Sequence, residues 1–325
     1  MHTLAVNASS TLATLGPVAD RARAAVEDAD ASNTRKAYRL DVAAFLSWTA
    51  DAGLDPWRAE TVALFAAAIA GTVAPATLGR RLAGIARAFR ARGLESPNRS
   101  EAVRLVTRGL RRQAADAGRT AQRQAAPIAG PELRAVVGGI EGGDLIDLRD
   151  RALILAGFHL AARRSELVAL DVADVAFVAE GVRVRIKRSK TDQAGEGVTL
   201  GVLQQADARI DAVRALRAWL DAAGIVEGPI FRRVTKGGVV GPARLTDRAV
   251  ALVIKKRVAA VGLDPARFAG HSLRAGLVTA AAASGASERV IANQSRHKSM
   301  PTLRKYIRAA NVFAASENVG AHFRF

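Results

Sequence analysis

Apolar side chains recur every three or four residues through much of the N-terminal third of the chain. Between residues 32 and 52, Ala37, Leu40, Ala44, Phe45 and Trp48 follow this spacing, and Gly53 comes directly after them. Similar patterns predict helices at 60–70, 75–92 and 100–117, of which the second begins at a proline, a favourable first-turn residue. We therefore expect this part of the chain to be entirely helical.

The period changes in the middle of the chain. After a small, polar segment at 118–128 come predicted helices at 131–140 and 147–160, and then a run in which Val182, Val184 and Ile186 alternate with basic residues. This period of two predicts a strand, which flanking segments 175–179 and 198–202 would join in a small antiparallel sheet. From Ala206 onward the pattern predicts helices again, interrupted at 237–238, 241–242 and 265.

These patterns predict a mainly α protein of two domains. Residues 1–117 form an all-helical domain, 118–128 a linker, and 129–325 a mixed α+β domain that is mostly helical with a small antiparallel sheet. The 325 residues, half of them hydrophobic, exceed what one core usually supports, which favours the same division.

Charge and composition narrow the classes of function. A formal net charge of +18 attracts polyanions, so nucleic acid is the first partner to consider. The absence of cysteine excludes disulfides, thiolate catalysis and sulfur-ligated zinc, and the five histidines lack metal-ligand spacing. We expect no metal and no cofactor. Residues 61–79 are uncharged but are interrupted by Gly71 and Pro75, and residues 1–19 carry no Lys or Arg, so we expect a cytoplasmic, nucleoid-associated protein without a membrane partner.

The third and fourth predicted helices are unusually basic, with ten arginines and only two acidic residues between Arg80 and Arg112. In the fourth helix the arginines share one face while Val103, Val106 and Leu110 share another. Two adjacent basic stripes favour contact with DNA phosphates over an ordinary solvated face. The candidate DNA-binding residues are Arg80, Arg81, Arg87, Arg104, Arg108, Arg111 and Arg112.

The residues with the most specific chemistry follow one another in a set order. They lie in Ala162-Arg163-Arg164-Ser165-Glu166-Leu167, Arg188-Ser189-Lys190-Thr191-Asp192, His271-Ser272-Leu273-Arg274, and at His297 and Tyr306. Each motif is common by chance, whereas their joint order and spacing are not. This order resembles the tyrosine recombinases, the phage integrase family, and in particular its Cre-like members.

The resemblance extends over nearly the whole chain and selects among neighbouring residues. The family arginine lies three residues before the glutamate, which favours Arg163 over Arg164. The family lysine lies on a hairpin of variable length, so Lys190 is the candidate and Lys187 the alternative. Upstream, the block 33–38 and the basic helices resemble the family's core-binding domain.

Elementary chemistry assigns the same residues compatible roles. Planar guanidinium groups suit the charged non-bridging oxygens of a transferring phosphoryl group, so Arg163 and Arg274 are predicted to clamp the phosphate and His297 to add a hydrogen bond. A tyrosine with an unperturbed pKa of about 10 is a poor nucleophile at neutral pH, but cationic neighbours favour the phenolate. Tyr306 is therefore the predicted nucleophile, with His271 able to accept its proton.

Two further groups complete the predicted site. Lys190 is positioned by its loop to protonate the leaving 5′-oxygen, as neighbouring arginines would lower its pKa toward the working range. Glu166 is too acidic for that task and is predicted to orient the cationic groups; the alternative is an ordinary surface glutamate.

The resemblance implies the remaining features of the reaction. These are a 3′-phosphotyrosyl intermediate, exchange between two sites through a Holliday junction, a dimer on one inverted-repeat site of double-stranded DNA, and a tetramer in the synaptic complex. It also implies that the two domains close as a C-shaped clamp on DNA and that a C-terminal helix is exchanged between protomers. Two alternatives stay open: a type IB topoisomerase or hairpin-forming resolvase with the same chemistry, and a non-catalytic basic DNA-binding or architectural protein.

Overall fold

The computed structural model describes residues 32–119, 125–187, 197–297 and 299–310, together with residues 16, 18, 20 and 21. The chain divides into two compact units, Met1–Arg123 and Gln124–Phe325. This division falls within the segment 118–128 that the sequence predicts as a linker. Along the described ranges, no helix combines the length and the apolar content that crossing a membrane requires.

Between residues 32 and 119, unit 1 contains four α-helices: α1 (Ser32–Asp51), α2 (Ala59–Ile69), α3 (Pro75–Ala91) and α4 (Glu101–Asp116). Helix α1 packs on α3, and α2 packs on α4. The shared core includes Phe45, Phe65, Leu82, Ile85 and Phe89. The apolar period therefore predicts the four helices, with ends displaced by at most one residue. It predicts the buried face of α1 only in part, because Phe45 is buried while Leu40 and Ala44 are exposed.

Unit 2 is mostly helical. Its helices are α5 (Gly130–Gly138), α6 (Leu145–His159), α7 (Arg164–Val168), α8 (Ala212–Ala222), α9 (Asp247–Ala260), α10 (Ser272–Ala283), α11 (Glu288–Ser295) and α12 (Met300–Ala310). Helix α6 is the central element, since most of its second half is buried and it packs against both α8 and α10. Asp144 caps it by accepting a hydrogen bond from Asp147 N at 2.8 Å.

Unit 2 also contains two antiparallel sheets. The first has the order β1 (Val175–Val178), β2 (Gly181–Ile186), β3 (Val198–Leu203), with Val184 opposite both Val175 and Leu200. As the period of two predicts, Val182, Val184 and Ile186 are buried while Arg183 and Arg185 are exposed.

The expectation of only helices after Ala206 is wrong. Strands β4 (Arg232–Val234) and β5 (Val240–Arg244) form a second, two-stranded sheet with a register shift beside Arg232. The turn between them contains Gly238 at φ 77°, where a residue with a side chain would be strained. With three and five residues, these strands are too short for an alternating pattern to stand out.

Close packing of glycine fixes helix α10 inside unit 2. A β-carbon on Gly157 of α6 would lie 2.8 Å from Leu273 Cδ1, and one on Gly276 would lie 1.9 Å from Ile128 O. The segment before α5 therefore runs against α10, where Ile128 N donates a hydrogen bond to Ser272 O at 3.0 Å. The first turn of α10 is thereby held against the end of α6.

Candidate active site

Arg163 lies at the start of the short helix α7, on the loop that follows α6. Glu166 binds it twice, because Arg163 N donates to Oε2 at 2.9 Å and Nη1 donates to Oε1 at 2.6 Å. The glutamate is only 3% exposed. Glu166 is thus buried and bound to the predicted phosphate-binding arginine. These contacts favour an orienting role for Glu166 over an ordinary surface glutamate.

Arg274 lies in the first turn of α10 and is only 1% exposed. Its Nη1 donates to Ala161 O at 2.7 Å, while its Nη2 has no hydrogen-bond partner among the described residues. Buried polar groups are nearly always hydrogen-bonded, so this nitrogen retains the capacity to donate to one further acceptor.

His271 immediately precedes α10 and reaches solvent. Partial burial, and then the charges of Arg274, Arg163 and Arg164, lower its pKa below the ordinary value of 6.5. The imidazole is therefore neutral at physiological pH and able to accept a proton.

His297 follows helix α11, and Tyr306 lies on helix α12. His297 Nδ1 lies 2.7 Å from Ser295 Oγ, which fixes the ring, and the centroids of the His297 and Tyr306 rings are 6.3 Å apart. Tyr306 is half-buried on α12, which packs on α10 through the buried side chains of Leu303 and Ile307. Helix α10 thus supports both the arginine and the tyrosine.

The field at this site is strongly positive. Burial, and then the charges of Arg274 and Arg163, lower the pKa of His297 to about 4. Burial, and then Arg163 and Arg296, lower the pKa of Arg274 to about 10, so it stays charged at neutral pH at an energetic cost. Burial alone would raise the pKa of Glu166, but Arg296 and Arg163 together hold it below its ordinary value. Glu166 is therefore an anion among three cations.

Arg296 is a member of this cluster that the sequence does not single out. Its Nη2 donates to Glu166 Oε2 at 2.7 Å, and its side chain is 9% exposed. The only signal in the sequence is its place directly before His297, and in so basic a chain one more arginine does not indicate a functional residue.

The two candidate lysines are not equivalent. Lys190 lies outside the described residues. Lys187, at the end of β2, makes ion pairs with Asp174 at 2.9 Å and Asp171 at 3.3 Å. The hydrogen bond to Asp174, and then the one to Asp171, raise its pKa, which is the wrong direction for a proton donor at neutral pH. The structure thus gives Lys187 a role in joining β2 to the turn before β1.

The candidate DNA-binding arginines of unit 1 divide into two groups. Arg80 and Arg81 both pair with the buried carboxylate of Asp41, so they hold α3 on α1. Arg87 lies half-buried on the same helix. Arg104, Arg108, Arg111 and Arg112 are all exposed along α4, as the helical period predicts. The α4 arginines are accordingly the stronger candidates for phosphate contact.

Comparison with known proteins gives consistent matches. Residues 132–312 match the model of the phage integrase family. The chain is 37% identical over 298 residues to an integrase/recombinase XerD homologue of Selenomonas ruminantium, which covers 90% of this chain and 86% of that protein. It is 26% identical over 226 residues to recombinase Cre of Escherichia phage P1, covering 65% of this chain and 64% of Cre.

Solved structures share the fold. A lambda integrase dimer bound to a COC′ core site superposes with a TM-score of 0.59 at 15% identity, covering 89% of this chain and 75% of that one. The XerH recombinase bound to palindromic difH superposes with a TM-score of 0.56 at 16% identity, covering 81% and 71%. The chain therefore belongs to the phage integrase family, the tyrosine recombinases, which are DNA strand-exchanging enzymes.

Proposed function

We propose that the chain is a site-specific recombinase that cleaves and rejoins DNA through Tyr306. The observation that carries the proposal is the buried guanidinium of Arg274, whose unpaired Nη2 lies in a positive cluster on the helix against which the tyrosine helix packs. A scissile phosphate would supply the missing acceptor.

The clamp acts through fixed charge. Arg163 is held by Glu166, and Arg274 by Ala161 O, so both guanidinium groups are set before DNA arrives. Preorganised donors stabilise the charge that develops on the non-bridging oxygens without reorganising during the reaction. His297 adds a hydrogen bond to the same group.

In the proposed reaction, the bonds formed and broken balance without an added cofactor. Tyr306 Oη attacks phosphorus while its proton passes to the neutral ring of His271, and the bond to the 5′-oxygen breaks. Lys190 gives a proton to that oxygen, which leaves as a hydroxyl. One phosphodiester has become another, a 3′-phosphotyrosyl ester, so a 5′-hydroxyl from a second strand can reverse the step without ATP.

The remaining features of the reaction and the assembly are proposed on the grounds of the family. The α4 arginines would bind double-stranded DNA at an inverted-repeat site, and the protein would act as a dimer on one site and a tetramer in synapsis, in the cytoplasm with the nucleoid. Unit 1 would be the core-binding domain and unit 2 the catalytic domain. A C-terminal helix after Tyr306 is expected to exchange between protomers, and residues 311–325 of that region lie outside the described residues.

The decisive experiment follows covalent attachment. A random-sequence duplex library is incubated with full-length wild-type protein, and the captured duplexes supply the sequence of a nicked suicide substrate. We expect a protein–DNA adduct that resists denaturation and whose peptide maps to Tyr306. Tyr306→Phe should bind the same duplex and form no adduct.

The chain offers a matched control in Tyr38, its only other tyrosine. Tyr38→Phe should form the adduct as wild type does. Attachment at another side chain, or no adduct from wild type on any captured duplex, would refute the proposal. Supercoil relaxation by the wild type without exchange between two copies of the captured site would favour a topoisomerase.

A further inference from the structure

Two non-glycine residues in the described ranges have a positive φ, Ala161 at 45° and Arg296 at 55°. L-amino acids avoid this region because the β-carbon crowds the following carbonyl oxygen. Such strain persists only where the surroundings over-determine it, and it clusters at functional sites. The two residues are in contact, since Arg296 Nη2 lies 3.5 Å from Ala161 O.

The side chain of Arg296 bridges the groups that set the two clamp arginines. Its Nη1 donates to Leu160 O at 3.0 Å, and its Nη2 donates to Glu166 Oε2 at 2.7 Å. Glu166 uses its other oxygen for the guanidinium of Arg163. Ala161 O, which Arg296 also contacts, accepts the hydrogen bond from Arg274.

We propose that Arg296 is a positioning residue for DNA cleavage, which fixes Arg163 through Glu166 and fixes Arg274 through the carbonyl of Ala161. The inference rests on the proposed function of the site. Arg296 touches no reacting atom in this scheme; it keeps the two guanidinium groups at a set separation. A planar fork suits the task because it reaches a carboxylate and two carbonyls at once.

The backbone conformation of Arg296 indicates that its side chain has a function that glycine could not supply. Arg296 ends α11 in the left-handed conformation, where glycine would form the same turn with less strain. The gain from arginine at this position therefore lies in what its guanidinium contacts. Glycine at 296 would remove those contacts while favouring the local backbone, which separates the role of the side chain from that of the turn.

The test measures single-turnover cleavage of the suicide duplex captured by the wild type, together with equilibrium binding of that duplex. We expect Arg296→Gly to cleave about a hundredfold more slowly, the loss typical of a small misplacement of catalytic groups, with its DNA affinity nearly unchanged. Arg296→Lys, which keeps the charge but lacks the fork, should recover only part of the rate.

A double variant tests the route through Glu166. If Arg296 acts by holding Glu166, then Glu166→Gln combined with Arg296→Gly should be little slower than the slower single variant. Arg209→Gln is a matched control, because Arg209 forms an exposed pair with Asp207 at 3.0 Å. It should cleave at the wild-type rate.

The outcomes separate the two hypotheses. Wild-type rates in Arg296→Gly, or fully additive losses in the double variant, would overturn the positioning role and leave the proposed function intact. A loss of DNA affinity as large as the loss of rate would also overturn it. If Arg296→Gly does not fold, Arg296→Asn tolerates the same backbone and takes its place. Absence of an adduct with the wild type would instead overturn the proposed function.

Discussion

Replacing Arg274 with methionine should stabilise the free protein while it strongly slows DNA cleavage. The pKa of Arg274 falls from 12.5 to about 10 because of burial and then the charges of Arg163 and Arg296. At about 1.4 kcal/mol for each pKa unit, the charged guanidinium is roughly 3 kcal/mol less stable here than in water. Only 1% of the residue is exposed, so solvent does little to reduce this cost.

Methionine removes that cost and some favourable contacts as well. The hydrogen bond to Ala161 O contributes about 1 kcal/mol, and imperfect filling of the space costs a similar amount. The net effect should be a stabilisation of about 1 kcal/mol, which raises the thermal midpoint by about 2–4 °C in a protein of this size. Loss of one preorganised donor should lower the cleavage rate by about 100- to 1,000-fold or more.

Arg257 is the matched control, because it is also buried but is paired with acidic side chains. Its guanidinium binds Asp150 at 2.7 Å and Asp147 at 2.5 Å. Although burial lowers its pKa, Asp150 and Asp147 together raise the net value. Arg257→Met should therefore destabilise the protein by about 3–5 kcal/mol, since it leaves buried carboxylates unpaired.

Thermal unfolding of the full chain without DNA measures both effects, and repeating it with inorganic phosphate adds a second readout. Phosphate should raise the midpoint of the wild type more than that of Arg274→Met, because only the wild type offers the complete anion site. A midpoint for Arg274→Met that falls as far as that of Arg257→Met would refute the idea that uncompensated positive charge is stored at this site.

Two other predictions concern proton transfer. Lys190→Ala should cleave an ordinary suicide duplex slowly. It should regain most of its rate when sulfur replaces the leaving 5′-oxygen, because a thiolate needs no proton donor. Lys187→Ala should not show this rescue, and the reverse result would exchange the roles of the two lysines. The second-order rate of cleavage should be constant near neutral pH and fall only below about pH 6.5, as His271 becomes protonated; a fall that begins above pH 7 would contradict a neutral His271. The lowered pKa of His297 also makes the free energy of unfolding depend on pH. This free energy should be highest above pH 6.5, the ordinary pKa of histidine, and should decrease as the pH falls toward about 4, because the unfolded chain takes up the proton first.

Much of the fold can be predicted from the sequence because its helices bury one regular face. The alternation through Val184 places its apolar residues in a core, and the stripe of α1 places Phe45 and Trp48 in another but leaves Leu40 exposed. The β4–β5 hairpin escapes prediction because its strands are short and irregular, so that only the Gly237-Gly238 pair signals a turn.

The candidate site residues can be proposed from the sequence, whereas the contacts that support them cannot. Arg163, His271, Arg274, His297 and Tyr306 are found by order and residue type, and the structure places them all in unit 2. The proposed role of Arg296 depends on its contact with Ala161, which lies after α6, whereas Arg296 itself ends α11. No local sequence pattern predicts a contact between the ends of two separate helices. Likewise, the ion pair of Arg80 with Asp41 joins two helices, so Arg80 has a structural contact that distinguishes it from the exposed arginines of α4.

The charges of the cluster explain why the free site is costly and why the reaction relieves that cost. Arg163, Arg274 and Arg296 supply three positive charges, while Glu166 supplies one negative charge, and burial keeps both histidines neutral near pH 7. A bound phosphodiester would add one negative charge and leave one positive charge uncompensated. Transfer of the Tyr306 proton to His271 would keep that proton within the site, so it would not change this net charge. The remaining positive field would favour the negative charge that develops on the non-bridging oxygens during phosphoryl transfer. We infer that the proposed site is electrostatically more complementary to the transition state than to the bound substrate, which is the condition for rate acceleration.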